Sequence, residues 1–179
     1  EKKRCYNRLI WMMPNGKFKT YNKRHLFRYA NEQNYYTAGS KKLIVDLNGW
    51  KICPMICYDL RFPVWIRNKV KSQKSEVKSD YDLLLFVANW PERRNHPWKT
   101  LLTARAMENQ CYVAGVNRIG NDGNHVYHSG DSAVINPKGE IISKTKPHEE
   151  AVETVTLSRK ELDDWRKNFP AWMDADKFT

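Results

Sequence analysis

Short apolar runs separated by turn sequences recur along the chain, and this pattern predicts a protein with many strands and few helices. Asn-Gly turns after the first and third runs predict two hairpins. Residues 82–88 form the most apolar run and suit a fully buried parallel strand. The predicted strands cover residues 5–13, 18–21, 43–47, 50–56, 82–88, 111–117, 132–135, 140–143 and 151–157.

Three segments have helical signals. Residues 62–70 carry apolar side chains behind a proline, and residues 97–110 carry an apolar side. Ser158 and Glu161 have the spacing of a capping box and open a third helix. The polar residues 28–41 predict a covering loop, and the shorter polar segments at residues 69–80 and 120–124 predict a connection and a further loop. Strand–helix alternation mixed with hairpins predicts an α/β or α+β sheet protein, organised as a single domain over residues 1–179.

Composition and charge narrow the possible partners. The chain has 31 basic and 20 acidic residues, a net charge of +11, which raises the possibility of nucleic-acid binding. The basic residues are scattered, however, so we expect a basic surface that attracts anions and no nucleic-acid partner. No uninterrupted apolar run approaches the ~18 residues of a membrane helix, and the charged N-terminus has no signal-type apolar stretch behind it. We therefore expect a cytoplasmic protein without membrane association.

The four cysteines are Cys5, Cys53, Cys57 and Cys111. A chain of this size does not need disulfides for stability, and no CxxC pair or nearby histidine cluster suggests zinc, so free thiols and no metal site are predicted. Cys57 directly follows the predicted strand at residues 50–56 and precedes a turn rich in Asp, Arg and Pro. Because ligand sites in open α/β sheets lie at the carboxyl ends of strands, Cys57 is a candidate nucleophile. The alternative is a small core residue, the usual role of a lone cysteine.

The sequence Cys-Tyr-Asp-Leu-Arg-Phe-Pro at residues 57–63 resembles the nucleophile segment of the nitrilase, or carbon–nitrogen hydrolase, superfamily. Four other blocks agree with this family in order along the chain; they lie at residues 21–27, 32–39, 89–91 and 104–110. The resemblance implies an αββα four-layer sandwich, and the blocks at residues 58–63, 89–94 and 169–176 are most similar to bacterial omega-amidases.

The resemblance also implies roles for individual residues. Cys57 would form a thioester, and Lys23 would lower the pKa of Cys57 and stabilise the tetrahedral intermediate with the backbone N–H of Tyr58. Glu32 matches a second glutamate that orders the site. For Lys23 and Glu32 the alternative is an ordinary exposed side chain. The mechanism needs no cofactor or metal. Because members of the family commonly form dimers, we expect a homodimer.

Similarity to omega-amidases implies a small anionic substrate. It would be a 2-oxo acid monoamide such as 2-oxoglutaramate, cleaved to the dicarboxylate and ammonia. Arg93 and Arg94 are candidates to bind its carboxylate, because a guanidinium can do so bidentately, and Trp90 would form a wall of the pocket. Ordinary surface charge is the alternative for both arginines. The alternative functions are another amide or N-carbamoyl hydrolase of the superfamily, or a non-catalytic scaffold subunit.

Polar residues near these motifs are assigned structural roles. His25 is interpreted as a hydrogen-bonding residue, and Asp59 is expected to hold the nucleophile turn, with Arg61 in a similar role. Arg105 and Glu108, three apart on a predicted helix, are expected to form an ion pair or a subunit contact.

The chain departs from the family pattern at its beginning. The family's general base is a glutamate well upstream of the lysine motif, but only 22 residues precede Lys23, and the first hairpin accounts for them. We therefore expect the N-terminal strand–helix–strand portion to be missing from this sequence, as in a piece of a longer protein. The alternative is a defective remnant of the family.

Overall fold

A five-stranded mixed sheet forms the centre of the fold. The structure is a computed structural model that describes residues 4–73 and 76–176. The strands are β1 (Arg8–Met12), β2 (Phe18–Asn22), β3 (Val45–Leu47), β4 (Trp50–Ile56), β5 (Val70–Gln73), β6 (Glu76–Ser79), β7 (Leu83–Ala88), β8 (Tyr112–Asn117), β9 (Ile119–Asn121), β10 (Tyr127–Ser129) and β11 (Ala133–Ile135). The helices are α1 (Pro63–Ile66), α2 (Asn95–Asn109) and α3 (Arg159–Asn168).

The sheet has the strand order β11-β8-β7-β4-β3. The three inner strands β4, β7 and β8 are parallel, and the edge strands β3 and β11 pair antiparallel with their neighbours. The prediction of a parallel strand at residues 82–88 is confirmed by β7, but the prediction of full burial is wrong: Leu84 and Phe86 on one face are buried, whereas Val87 on the other face is exposed. Two-stranded antiparallel pairs are formed by β1 with β2, β5 with β6, and β9 with β10.

Helix α2 covers one face of this sheet. Trp98, Leu102 and Ala106 are buried on the helix, which packs against β8 and β11. The approach is close because Gly115 in β8 has no side chain: an added Cβ would lie 2.5 Å from Cδ1 of Leu102. Glycine at this position therefore lets the helix lie directly on the sheet.

The predicted helix at residues 62–70 is wrong in length, and the predicted connection at residues 69–80 is wrong in type. Helix α1 ends at Ile66, because the backbone N–H of Asn68 donates to Oδ1 of Asn109 and its side chain donates to the carbonyl of Tyr81. These tertiary hydrogen bonds draw the chain out of the helix. The chain then forms strands β5 and β6, which pair antiparallel through their backbones. The polar composition of this segment does not indicate these strands.

The predicted strand at residues 151–157 is also wrong, since the structure has no strand there. The backbone N–H of Lys144 donates instead to both carboxylate oxygens of Glu153, at 2.9 Å each, and Val152 is fully exposed. The predicted loop at residues 120–124 begins too early, because Gly120 and Asn121 belong to β9 and pair with β10; the remaining residues form the turn between these strands.

The third helix begins as predicted. Oγ of Ser158 accepts the backbone N–H of Glu161 at 3.2 Å, and α3 follows directly. Within the described part of the chain, no helix combines the length and the apolar character that a membrane span requires.

Candidate active site

The candidate site lies where several strands end. Cys57 directly follows β4, Trp90 follows β7 by two residues, and Asn117 is the last residue of β8. Lys23 directly follows β2. The prediction that Lys23 and Cys57 both lie at strand ends is therefore confirmed.

The turn that carries Cys57 is a 3-10 turn over Cys57–Arg61. Cys57 has a φ of +44°, in the left-handed region that non-glycine residues seldom adopt and that costs conformational energy. The fully buried carboxylate of Asp59 stabilises this geometry, accepting the backbone N–H of Ile56 at 3.2 Å and the hydroxyl of Tyr21 at 2.8 Å. Asp59 thus makes the contacts expected of a residue that holds the nucleophile turn.

Arg105 supports the same turn from helix α2. Its Nε and Nη2 donate to the carbonyl of Leu60 at 3.0 and 2.8 Å, and its Nη1 pairs with Glu108 at 3.0 Å. The predicted ion pair is present, and the contact with the turn is an additional role that helical spacing does not reveal.

His25 contributes hydrogen bonds and stacking. Its backbone N–H donates to Oδ1 of Asp59 at 2.9 Å, its Nδ1 lies 2.9 Å from the same oxygen, and its ring stacks on Phe62 with centroids 3.7 Å apart. These contacts agree with the structural role assigned to His25.

Lys23 and Glu32 form a nearly buried ion pair. Nζ of Lys23 lies 2.6 Å from Oε2 of Glu32, and their side chains are 5% and 11% exposed. The same carboxylate accepts the backbone N–H of Phe27 at 2.5 Å and Nδ2 of Asn7 at 2.8 Å. Burial acts to raise the pKa of Glu32, but the hydrogen bonds from Lys23, Phe27 and Asn7 outweigh it and lower that pKa below its usual range. These contacts favour the ionised form of Glu32, which pairs with the cation of Lys23.

The thiol of Cys57 lies in a mixed environment. Burial raises the pKa of Cys57, a backbone hydrogen bond from Asn89 and the charge of Lys23 lower it, and the charges of Glu32 and Asp59 raise it. Burial dominates, so the pKa lies above its ordinary value. A thiol in this environment requires a base to act as a nucleophile.

A cavity of about 510 Å³ joins most of the predicted site residues. Its lining includes Lys23, Glu32, Cys57, Tyr58, Trp90 and Arg94. Arg93, in contrast, is exposed and does not line the cavity.

Sequence reasoning missed several polar residues of this lining, among them Arg61 and Asn7. The guanidinium of Arg61 lies 5.1 Å from the ring centroid of Trp90, just as that of Arg94 lies 5.3 Å from Phe27. The position of Arg61 at the end of the nucleophile turn was a usable signal, although the sequence analysis gave it a structural role. Asn7 has no such signal, because it reaches the site only through the register of the β1–β2 hairpin.

No metal site is present among residues 4–73 and 76–176, where no three His, Cys, Asp or Glu side chains are arranged to hold an ion.

The family assignment follows from comparison with known proteins. The family model for carbon-nitrogen hydrolases matches residues 1–167, so the chain belongs to this family and has the fold of the nitrilase superfamily. Of the expected four-layer sandwich, the described residues form one five-stranded sheet, three two-stranded pairs and the helices against them.

Individual relatives are similar over nearly the whole chain. Omega-amidase YafV of Escherichia coli (strain K12) is 51% identical over 96% of this chain and 64% of its own length. 2-Oxoglutaramate amidase of Bacillus subtilis (strain 168) is 35% identical over 89% of this chain and 58% of its own length. The crystal structure of XC1258 from Xanthomonas campestris, a CN-hydrolase superfamily protein with an arsenic adduct in its active site, matches with a TM-score of 0.92. The two sequences are 49% identical, and the match covers 97% of this chain and 65% of the XC1258 chain. The chain thus spans 58–65% of the length of these relatives.

Proposed function

We propose that the protein hydrolyses the terminal amide of a small 2-oxo acid monoamide of the 2-oxoglutaramate type, through a thioester on Cys57. The observation that carries this proposal is a single cavity lined by Cys57, by the Lys23–Glu32 pair and by the guanidinium groups of Arg61 and Arg94. The similarity to proteins named omega-amidase and 2-oxoglutaramate amidase supports the same substrate class.

In the first half of the reaction, Sγ of Cys57 bonds to the amide carbon and its proton passes to a general base. Negative charge then develops on the substrate oxygen, where the cation of Lys23 and the backbone N–H of Tyr58 would stabilise it. The general base then gives the proton to the substrate nitrogen as the carbon–nitrogen bond breaks. Ammonia departs, and the acyl group remains on Cys57 as a thioester. Water then attacks the thioester and releases the carboxylate and the thiol.

Glu32 is assigned to positioning Lys23 and not to proton transfer. Among the described residues, Glu32 supplies the one carboxylate that lines the cavity. Its two oxygens already accept three hydrogen bonds, and its pKa is lowered. A group with a depressed pKa that is fully engaged is poorly suited to receive the thiol proton. The general base is therefore a different residue, and the family resemblance implies a glutamate outside the present sequence.

The substrate carboxylate is assigned to Arg94 with Arg61. Both line the cavity, and each guanidinium lies over an aromatic ring that restricts its orientation, Trp90 beneath Arg61 and Phe27 beneath Arg94. Arg93, which the sequence places beside Arg94, is left outside this role because it is exposed.

The test is to incubate the purified full-length protein with 2-oxoglutaramate and measure ammonia and 2-oxoglutarate. We expect both products in equal amounts, faster than from uncharged short amides or N-carbamoyl amino acids, and no turnover by Cys57→Ala. Full turnover by Cys57→Ala would overturn the thioester mechanism. Preference for an N-carbamoyl amino acid would instead favour the alternative hydrolase.

Two neighbouring arginines provide a matched test of the carboxylate site. We expect Arg94→Ala to raise KM for 2-oxoglutaramate about tenfold or more, the loss of one hydrogen-bonded charge interaction, with little effect on an uncharged amide. Arg93→Ala is the control and should leave KM unchanged. Equal effects of the two substitutions would contradict the assignment of Arg94.

A further inference from the structure

The side chain of Asn117 is hydrogen bonded to both backbone groups of Trp90. Its Oδ1 accepts the Trp90 N–H at 2.8 Å, and its Nδ2 donates to the Trp90 carbonyl at 2.9 Å. The same Nδ2 donates to the carbonyl of Gly130 at 2.8 Å. One amide side chain thus fixes a peptide segment from two sides and links it to a second loop.

This contact begins where the sheet stops. The last paired residues of β7 and β8 are Ala88 and Asn117, so Trp90 lies beyond the end of the backbone ladder. The Asn117 side chain offers a carbonyl and an amide N–H in place of the next backbone group. It therefore continues the ladder by one step past the end of β8.

The segment fixed in this way contacts the nucleophile. Asn89 immediately precedes Trp90, and both residues line the cavity with Cys57. Within this cavity, the backbone N–H of Asn89 lowers the pKa of Cys57 by stabilising the charged form of the thiol. Movement of the Asn89–Trp90 segment would weaken this stabilisation.

We propose that Asn117 is a positioning residue for Cys57, which holds the Asn89–Trp90 segment so that the N–H of Asn89 is directed at the sulfur. This inference rests on the proposed role of Cys57 as nucleophile. Asn117 does not contact the thiol and acts only through the backbone of its partner segment.

Ser132 provides a control at the same strand end. Its Oγ accepts the backbone N–H of Asn117 at 3.0 Å and donates to the Asn117 carbonyl at 3.3 Å. Ser132→Ala removes support from the Asn117 backbone but keeps the side-chain bonds to Trp90. Asn117→Ala removes those side-chain bonds.

The measurement is the pH dependence of alkylation of Cys57 by iodoacetamide, followed by mass spectrometry of its peptide in the full chain. In Asn117→Ala we expect the profile to move to higher pH and the rate at pH 7 to fall about fivefold or more, the effect of weakening one hydrogen bond to a thiolate. Ser132→Ala should keep the parent profile. Exposed Cys5 serves as the internal reference and should not change in any variant.

A second variant guards against loss of folding. Asn117→Asp has the same shape and still accepts the Trp90 N–H. Its second oxygen, however, faces the carbonyls of Trp90 and Gly130, which Nδ2 of Asn117 otherwise contacts. We therefore expect the alkylation profile of Cys57 to move to higher pH, as in Asn117→Ala. A Cys57 profile in both folded variants that coincides with that of the parent would overturn the inference alone. Turnover retained by Cys57→Ala would overturn the proposed function and this inference with it.

Discussion

Replacing Glu32 by glutamine tests whether this carboxylate holds Lys23 in place. Glu32 accepts hydrogen bonds from Lys23, from the backbone of Phe27 and from Asn7, at 2.6, 2.5 and 2.8 Å. Glutamine keeps the shape but has only one acceptor oxygen. If that oxygen faces Lys23 and Phe27, the new NH₂ group faces the donor of Asn7, and the nearly buried cation of Lys23 loses its paired charge.

The expected loss of stability follows from these contacts. Removing one partner of a buried ion pair costs about 3–5 kcal/mol. Because the glutamine oxygen still accepts from Lys23 and Phe27, we expect Glu32→Gln to lower the free energy of unfolding by about 2–3 kcal/mol at neutral pH.

The sign of the pH dependence is fixed by the pKa of Glu32. Burial acts to raise this pKa, but the hydrogen bonds, that from Lys23 foremost, bring it below the value of 4.5 for a free side chain. A group with a depressed folded pKa contributes stability above its unfolded pKa and loses it as pH falls through the folded value. The difference between parent and Glu32→Gln should therefore be largest at neutral pH and shrink as the pH falls below 4.5.

Urea unfolding at neutral and acid pH measures both quantities. Asp164→Asn is the control, since it makes the same chemical change in the exposed pair of Lys160 and Asp164, 2.5 Å apart, and should cause no measurable loss. The reasoning is refuted if Glu32→Gln stays within about 0.5 kcal/mol of the parent at neutral pH, the range of ordinary surface substitutions. It is also refuted if the loss does not depend on pH.

The sequence was sufficient for the sheet and for the two central site residues because both follow from local patterns. The apolar run at residues 82–88 is typical of an inner parallel strand, and β7 pairs in parallel with β4 and β8, although only one of its faces is buried. Cys57 and Lys23 come directly after apolar or hairpin strands, so their places at strand ends follow from the chain order.

The remaining site residues depend on geometry that local patterns do not encode. Arg93 and Arg94 are adjacent in one 3-10 turn, and the direction of that turn alone decides that Arg94 lines the cavity. Asn117 contacts Trp90 across 27 positions, through strand register. At residues 151–157 the alternating pattern predicted a strand, but the carboxylate of Glu153 takes up the N–H of Lys144. Side-chain acceptors of this kind replace a backbone ladder without altering the hydrophobic pattern.

Two further substitutions test the packing and the buried polar contacts of the fold. In Gly39→Ala the new Cβ would lie 2.1 Å from the carbonyl oxygen that ends β2, so we expect a loss of about 1–3 kcal/mol in urea unfolding. Gly123→Ala, with nothing within 4 Å of its Cβ, should have little effect, and equal losses would contradict the steric reason. Arg166 is 1% exposed and donates to Oδ1 of Asp82 at 2.8 Å. Arg166→Met therefore leaves a buried carboxylate short of a partner, and we expect a loss of about 3–5 kcal/mol. The pKa of Asp82 is depressed, because the hydrogen bonds from Arg159 and Arg166 outweigh the effect of burial. This loss should accordingly diminish at acid pH. Lys167→Met removes an exposed charge from the same helix, and a loss as large as that of Arg166→Met would show that the buried pair is not responsible.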